Sequence, residues 1–176
     1  MRRRCVLEGL VIGLALVWSI LAPAPLSAQD ASAPPDHPIK VDVPVRLEKA
    51  NVVFDMSHLA LAGDTPFGLK YMHLLATRFK KGGIKGQIIG IFHGEAAYLT
   101  LTDSAYNAYR HGATGNPYKG LIAELIQQGV QIEECAVSMK NHHWGNQDLL
   151  PQIKVNAGAI GRLIQLAQEG YVQIQP

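Results

Sequence analysis

The sequence predicts an α/β domain, a parallel sheet with helices on both faces. Short runs rich in Val and Ile alternate with longer runs of helical periodicity along most of the chain. Glycines, twice preceded by cations or polar residues, close the helical runs where helices should end (Gly82-Gly83, Gly129 and Gly170). No internal repeat of the length used by solenoids or propellers is present.

The elements follow in order. Val52-Val53-Phe54 is a buried strand ending near Asp55, and Ser57 to Thr65 is a loop containing Gly63 and Asp64. From Phe67 to Lys81, Tyr71, Met72, Leu75 and Phe79 recur at helical spacing. Gln87 to His93 is a second strand, with Gly94 just beyond it. Ala97 to Leu101 fits a strand or a helix start equally well. Asp103 to Arg110 is a short helix, and Gly112 to Pro117 is a loop in which Asn116-Pro117 begins the next helix. Leu121, Ile122, Leu125 and Ile126 form that helix's stripe. Val130 to Val137 is a third strand, Ser138 to Gln147 is polar, and Lys154-Val155 is a brief strand. Ile160, Leu163, Ile164 and Ala167 give the last helix one apolar face, with Asn156 as its N-cap. Tyr171 to Ile174 is the final strand.

Residues 1–28 read as a cleavable secretory signal. Arg2-Arg3-Arg4 precedes an apolar run from Gly9 to Ala22, and Leu26-Ser27-Ala28 supplies small residues for cleavage. The apolar run is about 14 residues, short of the roughly 20 that span a bilayer, so no stable membrane anchor is expected after cleavage. Residues 29–45, rich in Ala, Pro, Ser and Asp, read as a flexible leader, and 46–176 as the domain. The expected location is the periplasm or the exterior. Three of the 16 basic residues and one of the 14 acidic ones fall within residues 1–28, which leaves the rest neutral. A neutral domain lacks the basic surface that nucleic acid requires. Cys5 leaves with the signal, so Cys135 is the only thiol of the exported chain, and neither an internal disulfide nor a four-thiolate zinc site is available.

In parallel sheets, sites gather at the carboxyl ends of strands. Here those ends carry Asp55 to His58, His93 to Glu95, and Cys135 to Lys140. Cys135 is the leading candidate, because a thiolate at a helix N-terminus can attack sulfur or carry a persulfide. The competing reading is a buried Cys that acts as a small hydrophobe. His93 and Gly94 are candidate pocket residues, the glycine because it lets backbone approach a ligand. His142 and His143 are candidates for stabilising the thiolate, and Trp144 reads as local packing. Glu133 and Glu134 would oppose ionisation of Cys135 if either faced the sulfur, so both are expected to point away. His58 and His93 raise the possibility of a metal site, but no His-x-x-x-His spacing supports one, and no metal or organic cofactor is expected. A GxSxG elbow, a P-loop and a GxGxxG after a strand are all absent.

The stretch from Leu121 to Pro176 carries a further signal. The helix ending in Gly129 leads through Val130-Gln131-Ile132 to Cys135-Ala136-Val137-Ser138-Met139. Asp148-Leu149-Leu150-Pro151, Val155-Asn156-Ala157-Gly158 and Gly170-Tyr171-Val172-Gln173-Ile174 follow. With His93-Gly94 and Asn116-Pro117, this order resembles the small single-domain members of the DsrE/DsrF-like family, over about residues 50–176. The resemblance implies a five-stranded parallel sheet with flavodoxin-like layering, assembled into oligomers. It also implies that Cys135 accepts and passes on sulfane sulfur as a persulfide. The relay members work in the cytoplasm, and their turn after the cysteine differs from Lys140-Asn141-His142-His143-Trp144-Gly145. The function expected is therefore a periplasmic sulfur handler, forming homo-oligomers and exchanging sulfur with a donor or acceptor protein or a small sulfur compound. The alternative is a non-catalytic module of the same fold that binds a small ligand or metal, or serves assembly.

Overall fold

Five parallel strands form the sheet of a computed structural model in which residues 37–176 are described. The strands are β1 (Val52–Met56), β4 (Ile88–Phe92), β5 (Gln131–Cys135), β6 (Lys154–Asn156) and β7 (Val172–Ile174), in the spatial order β6-β5-β4-β1-β7. A separate antiparallel hairpin, β2 (Leu61–Ala62) with β3 (Thr65–Pro66), lies within what the sequence presents as a loop. The chain divides into Met1–Val43 and Pro44–Pro176. The expected signal lies outside the described residues, as do residues 29–36 of the expected leader.

Alternation decides what each strand faces. Val52, Phe54 and Met56 join Ile88, Phe92 and Ile132 in the larger core, against α1 (Phe67–Gly82) and α3 (Lys119–Gln127). Val53, Ile89, Ile91 and Cys135 face the other way, under Ala159, Leu163 and Leu166 of α5 (Ala159–Gln168). All residues of β1 and β4 are buried, as strands covered on both faces should be. Gly83 ends α1 in the left-handed conformation, with its N–H donated to Phe79 O, and Lys80 and Lys81 occupy the last turn.

The undecided segment after β4 is a 3-10 helix, Gly94–Thr100, buried from Ala96 onward. Ala97 to Leu101 is too short to show strand or helix periodicity, which is why the sequence left it open. It leads into α2 (Asp103–Arg110), capped by Thr102. Asn116 is a structural latch: its Nδ2 donates to Leu99 O and Leu101 O, and its Oδ1 accepts from Tyr118 N.

Two boundaries differ from expectation in ways that shape the site. β5 ends at Cys135 rather than Val137, because a six-residue helix, α4 (Ala136–Asn141), starts at once. Asn156 is not the N-cap of α5. It ends β6, and its Nδ2 donates to Glu133 Oε2, while Gly158 takes the cap position.

Candidate functional site

A glycine N-cap has no side chain to accept the first N–H groups of its helix. The sulfur of Cys135 takes that place. The Ala159 N–H at the start of α5 donates to Cys135 Sγ at 3.3 Å. Cys135 is also the residue from which α4 springs. The first-turn N–H groups of Val137 and Ser138 and the Ser138 hydroxyl favour the thiolate as well, without closing a regular side-chain cap. Burial pushes the thiol up. The N–H groups of Ser138, Ala159 and Val137, with the Ser138 hydroxyl, pull it down further, so the thiol lies below its ordinary range.

Gly94 joins this cradle through Ser138. Its N–H donates to Ser138 Oγ at 3.2 Å. Gly94 has φ +56°, and a Cβ there would lie 3.0 Å from Ser57 O, so both the conformation and the space favour glycine.

The two carboxylates beside Cys135 are handled differently. Glu133 shares the face of Cys135, where Arg162 of α5 holds it through Nη2 at 2.9 Å and Nε at 3.1 and 3.2 Å. Glu134 faces the opposite way and is fully buried. Burial pushes its carboxyl up to about 9, against hydrogen bonds from Thr100 and the Cys135 N–H that pull it down. Thr100 Oγ1 lies 2.8 Å from Glu134 Oε2 and 2.9 Å from Ala97 O, and one hydroxyl proton cannot serve both. A protonated Glu134 donates to Thr100 Oγ1, which donates to Ala97 O, and every group is satisfied. At neutral pH, then, Glu133 is paired and Glu134 uncharged, and neither opposes the thiolate.

A polar row runs along the same face at the carboxyl ends of the strands. His93 Nε2 lies 2.7 Å from Asp55 Oδ1, and Gln173 Nε2 donates to Asp55 Oδ2 at 3.0 Å. Asp55 is buried and His93 partly so. Phe92 pairs with Glu134, and His93 is extended, so His93 continues the ladder opposite Cys135 with its side chain on the same face. On the other flank Asn156 pairs with Cys135, and Asn156 Oδ1 is buried without a partner among the described residues.

With this geometry in place, the comparisons with known proteins become specific. The DsrE/DsrF-like family model matches residues 48–176. The chain belongs to the DsrE/DsrF-like family. Among solved structures, a protein of unknown function, MTH1491 from Methanobacterium thermoautotrophicum, has the same fold at 19% identity and a TM-score of 0.53. The match covers 72% of this chain and 99% of that one. The ychN protein from E. coli matches at 13% identity and a TM-score of 0.49, covering 72% of this chain and 99% of that one. No curated protein matches.

Not every histidine singled out in the sequence reaches the site of this DsrE/DsrF-like domain. His142 stacks on Trp144 with ring centroids 4.5 Å apart, and Tyr109 meets both edge-on at 5.2 Å. That cluster takes up His142 at the far end of α4 from Cys135. His143 is exposed, with a left-handed φ of 59°, and His58 is exposed with Nδ1 2.8 Å from Ser57 Oγ. No group of three or more potential metal ligands converges among the described residues. Cys135 is 4% exposed, under α5, and the clefts of about 690 and 550 Å³ are lined by other residues. Ala159 is the site residue that sequence reasoning missed, while Asp55 and Ser138 fall within the strand ends it marked, with no role given to either. An amide donor leaves no trace in residue type, and Asp55 takes its role only from its register beside His93.

Proposed function

We propose that this protein is an exported sulfur carrier, with Cys135 holding sulfane sulfur as a persulfide. Membership of the DsrE/DsrF-like family supports sulfur relay at the level of the family. The observation that carries the reading for this chain is the donor set around the sulfur, which lowers a thiol that burial alone would raise. A thiolate is the attacking species in exchange at sulfur. Cys135 Sγ attacks the outer sulfur of a donor, a new S–S bond forms, the donor's S–S bond breaks, and its electron pair leaves on the donor thiolate. An acceptor thiolate then attacks the outer sulfur, and Cys135 departs as the thiolate that the same N–H groups stabilise.

Export is part of the proposal and rests on the signal chemistry of residues 1–28. Self-association is also part of it. Val137, Ile160 and Ile164 are 52%, 67% and 56% exposed on or beside the side of the sheet that α5 covers, an apolar surface suited to a second copy of the chain.

One observation favours the second reading, a non-catalytic binding or assembly module: the low exposure of Cys135. Alkylation of the native protein with iodoacetamide across pH separates the two. The carrier reading expects native reactivity with a midpoint below the reference thiol value of about 8.5. A thiol that reacts only after unfolding would leave the binding module standing.

A further inference from the structure

Backbone N–H groups at Cys135 already favour its thiolate. The incoming thiol needs a base. An ordinary thiol has a reference value of about 8.5 and is mostly protonated at neutral pH, so an acceptor must lose its proton before it can take the sulfur. We propose, resting on the carrier reading, that His93 accepts that proton and that Asp55 positions it.

Four observations place the pair. His93 continues β4 opposite Cys135, with both side chains on the face covered by α5. Adjacent strands lie about 4.8 Å apart, so a sulfur carried beyond Cys135 Sγ stays within reach of the imidazole. His93 Nε2 is committed to Asp55, which leaves Nδ1 as the nitrogen able to take a proton. Asp55 is itself fixed on its second oxygen by Gln173 Nε2, so the carboxylate cannot turn away. Solvent meets this row where His93 is partly open beside exposed Gly94, and a thiol arriving there meets the imidazole before the buried sulfur. The order of nucleophile, base and orienting carboxylate is the one thiol and hydroxyl chemistry uses elsewhere, except that the base serves the second thiol rather than Cys135.

The step balances without an oxidant or reductant. His93 Nδ1 takes the proton of the acceptor R–SH. The thiolate attacks the outer sulfur of the Cys135 persulfide, Sγ–SH, the acceptor leaves as R–S–SH, and the Cys135 S–S bond breaks with its electron pair on Cys135 Sγ. In loading, the reverse transfer gives the His93 proton to the departing donor thiolate. Along this row Glu133 is paired with Arg162, Gln173 and Ser138 carry no charge, and the nearby Glu95 and His58 are exposed to solvent.

The test uses the full chain carrying Cys5→Ser, loaded with inorganic polysulfide and unloaded by small thiols of different acidity, with intact mass as readout. Wild-type unloading is expected to depend on pH less steeply than the acceptor's own thiolate fraction. His93→Gln should unload about 100-fold more slowly at neutral pH, within the usual range for a lost proton acceptor. It should recover with an acidic thiol or at a pH where the acceptor is already ionised. Asp55→Asn, which keeps the volume and a partner for Gln173, should show the same pattern to a smaller degree. The alkylation midpoint of Cys135 should stay the same in both variants, because its donors are untouched. An unchanged unloading profile, or a slowing equal at every pH and for every thiol, overturns the role of His93 while the carrier reading stands. A wild-type chain that takes up no sulfur overturns both.

Discussion

Ser138 is the one side chain that adds to the backbone N–H groups favouring the thiolate of Cys135, and its oxygen accepts from Gly94. Ser138→Ala should raise the alkylation midpoint of Cys135 toward the ordinary thiol value. It should also cost about 1 kcal/mol of stability, read by chemical denaturation, because the Gly94 N–H loses its partner. Glu134 makes a separate prediction. Its folded value is near 9 against 4.5 for the free side chain, so the folded state holds a proton that the unfolded chain releases. The stability it contributes is complete below pH 4.5 and declines as pH rises toward 9. Cys135, whose folded value is depressed, acts in the opposite sense at the alkaline end. Glu134→Gln removes the first decline, so the variant should gain on wild type as pH rises across that window in denaturation series. At this scale the sequence showed the thiol and its two acidic neighbours. It could not show that one carboxylate is paired and the other protonated, because Arg162 lies 29 residues along the chain from Glu133 and the burial of Glu134 is a tertiary fact.

The element that makes the site is the start of α5. The helix lies where the sequence places it, but of the expected apolar face only Leu163 is buried, with Ala159 and Leu166, whereas Ile160, Ile164 and Ala167 are exposed; Asn156 is expected as the cap on residue type alone. The strand claims Asn156, and the glycine at the true cap position leaves the first N–H to a sulfur from β5. The same limit hid α4, since six residues are too few to show a helical period. Gly94 is the element-scale test. Gly94→Ala places a Cβ 3.0 Å from Ser57 O in a left-handed backbone. The substitution should cost about 1–2 kcal/mol, the penalty of that conformation for a side-chain-bearing residue. It should also raise the Cys135 alkylation midpoint if the tie from Gly94 to Ser138 is disturbed with it.

For the whole molecule, the alternation of strands and helices sufficed for the parallel layered sheet, because β4 is a continuous apolar run and α1, α3 and α5 each stop at or just before a glycine. The order β6-β5-β4-β1-β7 lies beyond sequence reading, since it depends on which edge the last strand joins, and β7 returns beside β1. Ile160 and Ile164 stand on the solvent side of α5 and carry the assembly claim. Ile160→Asp with Ile164→Asp should give a monomer by light scattering at concentrations where the wild type self-associates, with folding unchanged. A monomeric wild type would remove that claim. The central claim is that Cys135 carries sulfur, and intact mass spectrometry with peptide mapping after exposure to a sulfane-sulfur donor tests it most directly. The account predicts a gain of one sulfur atom located at Cys135 and released by thiols, absent in Cys135→Ser. No gain in the native protein, or the same gain in Cys135→Ser, would contradict it.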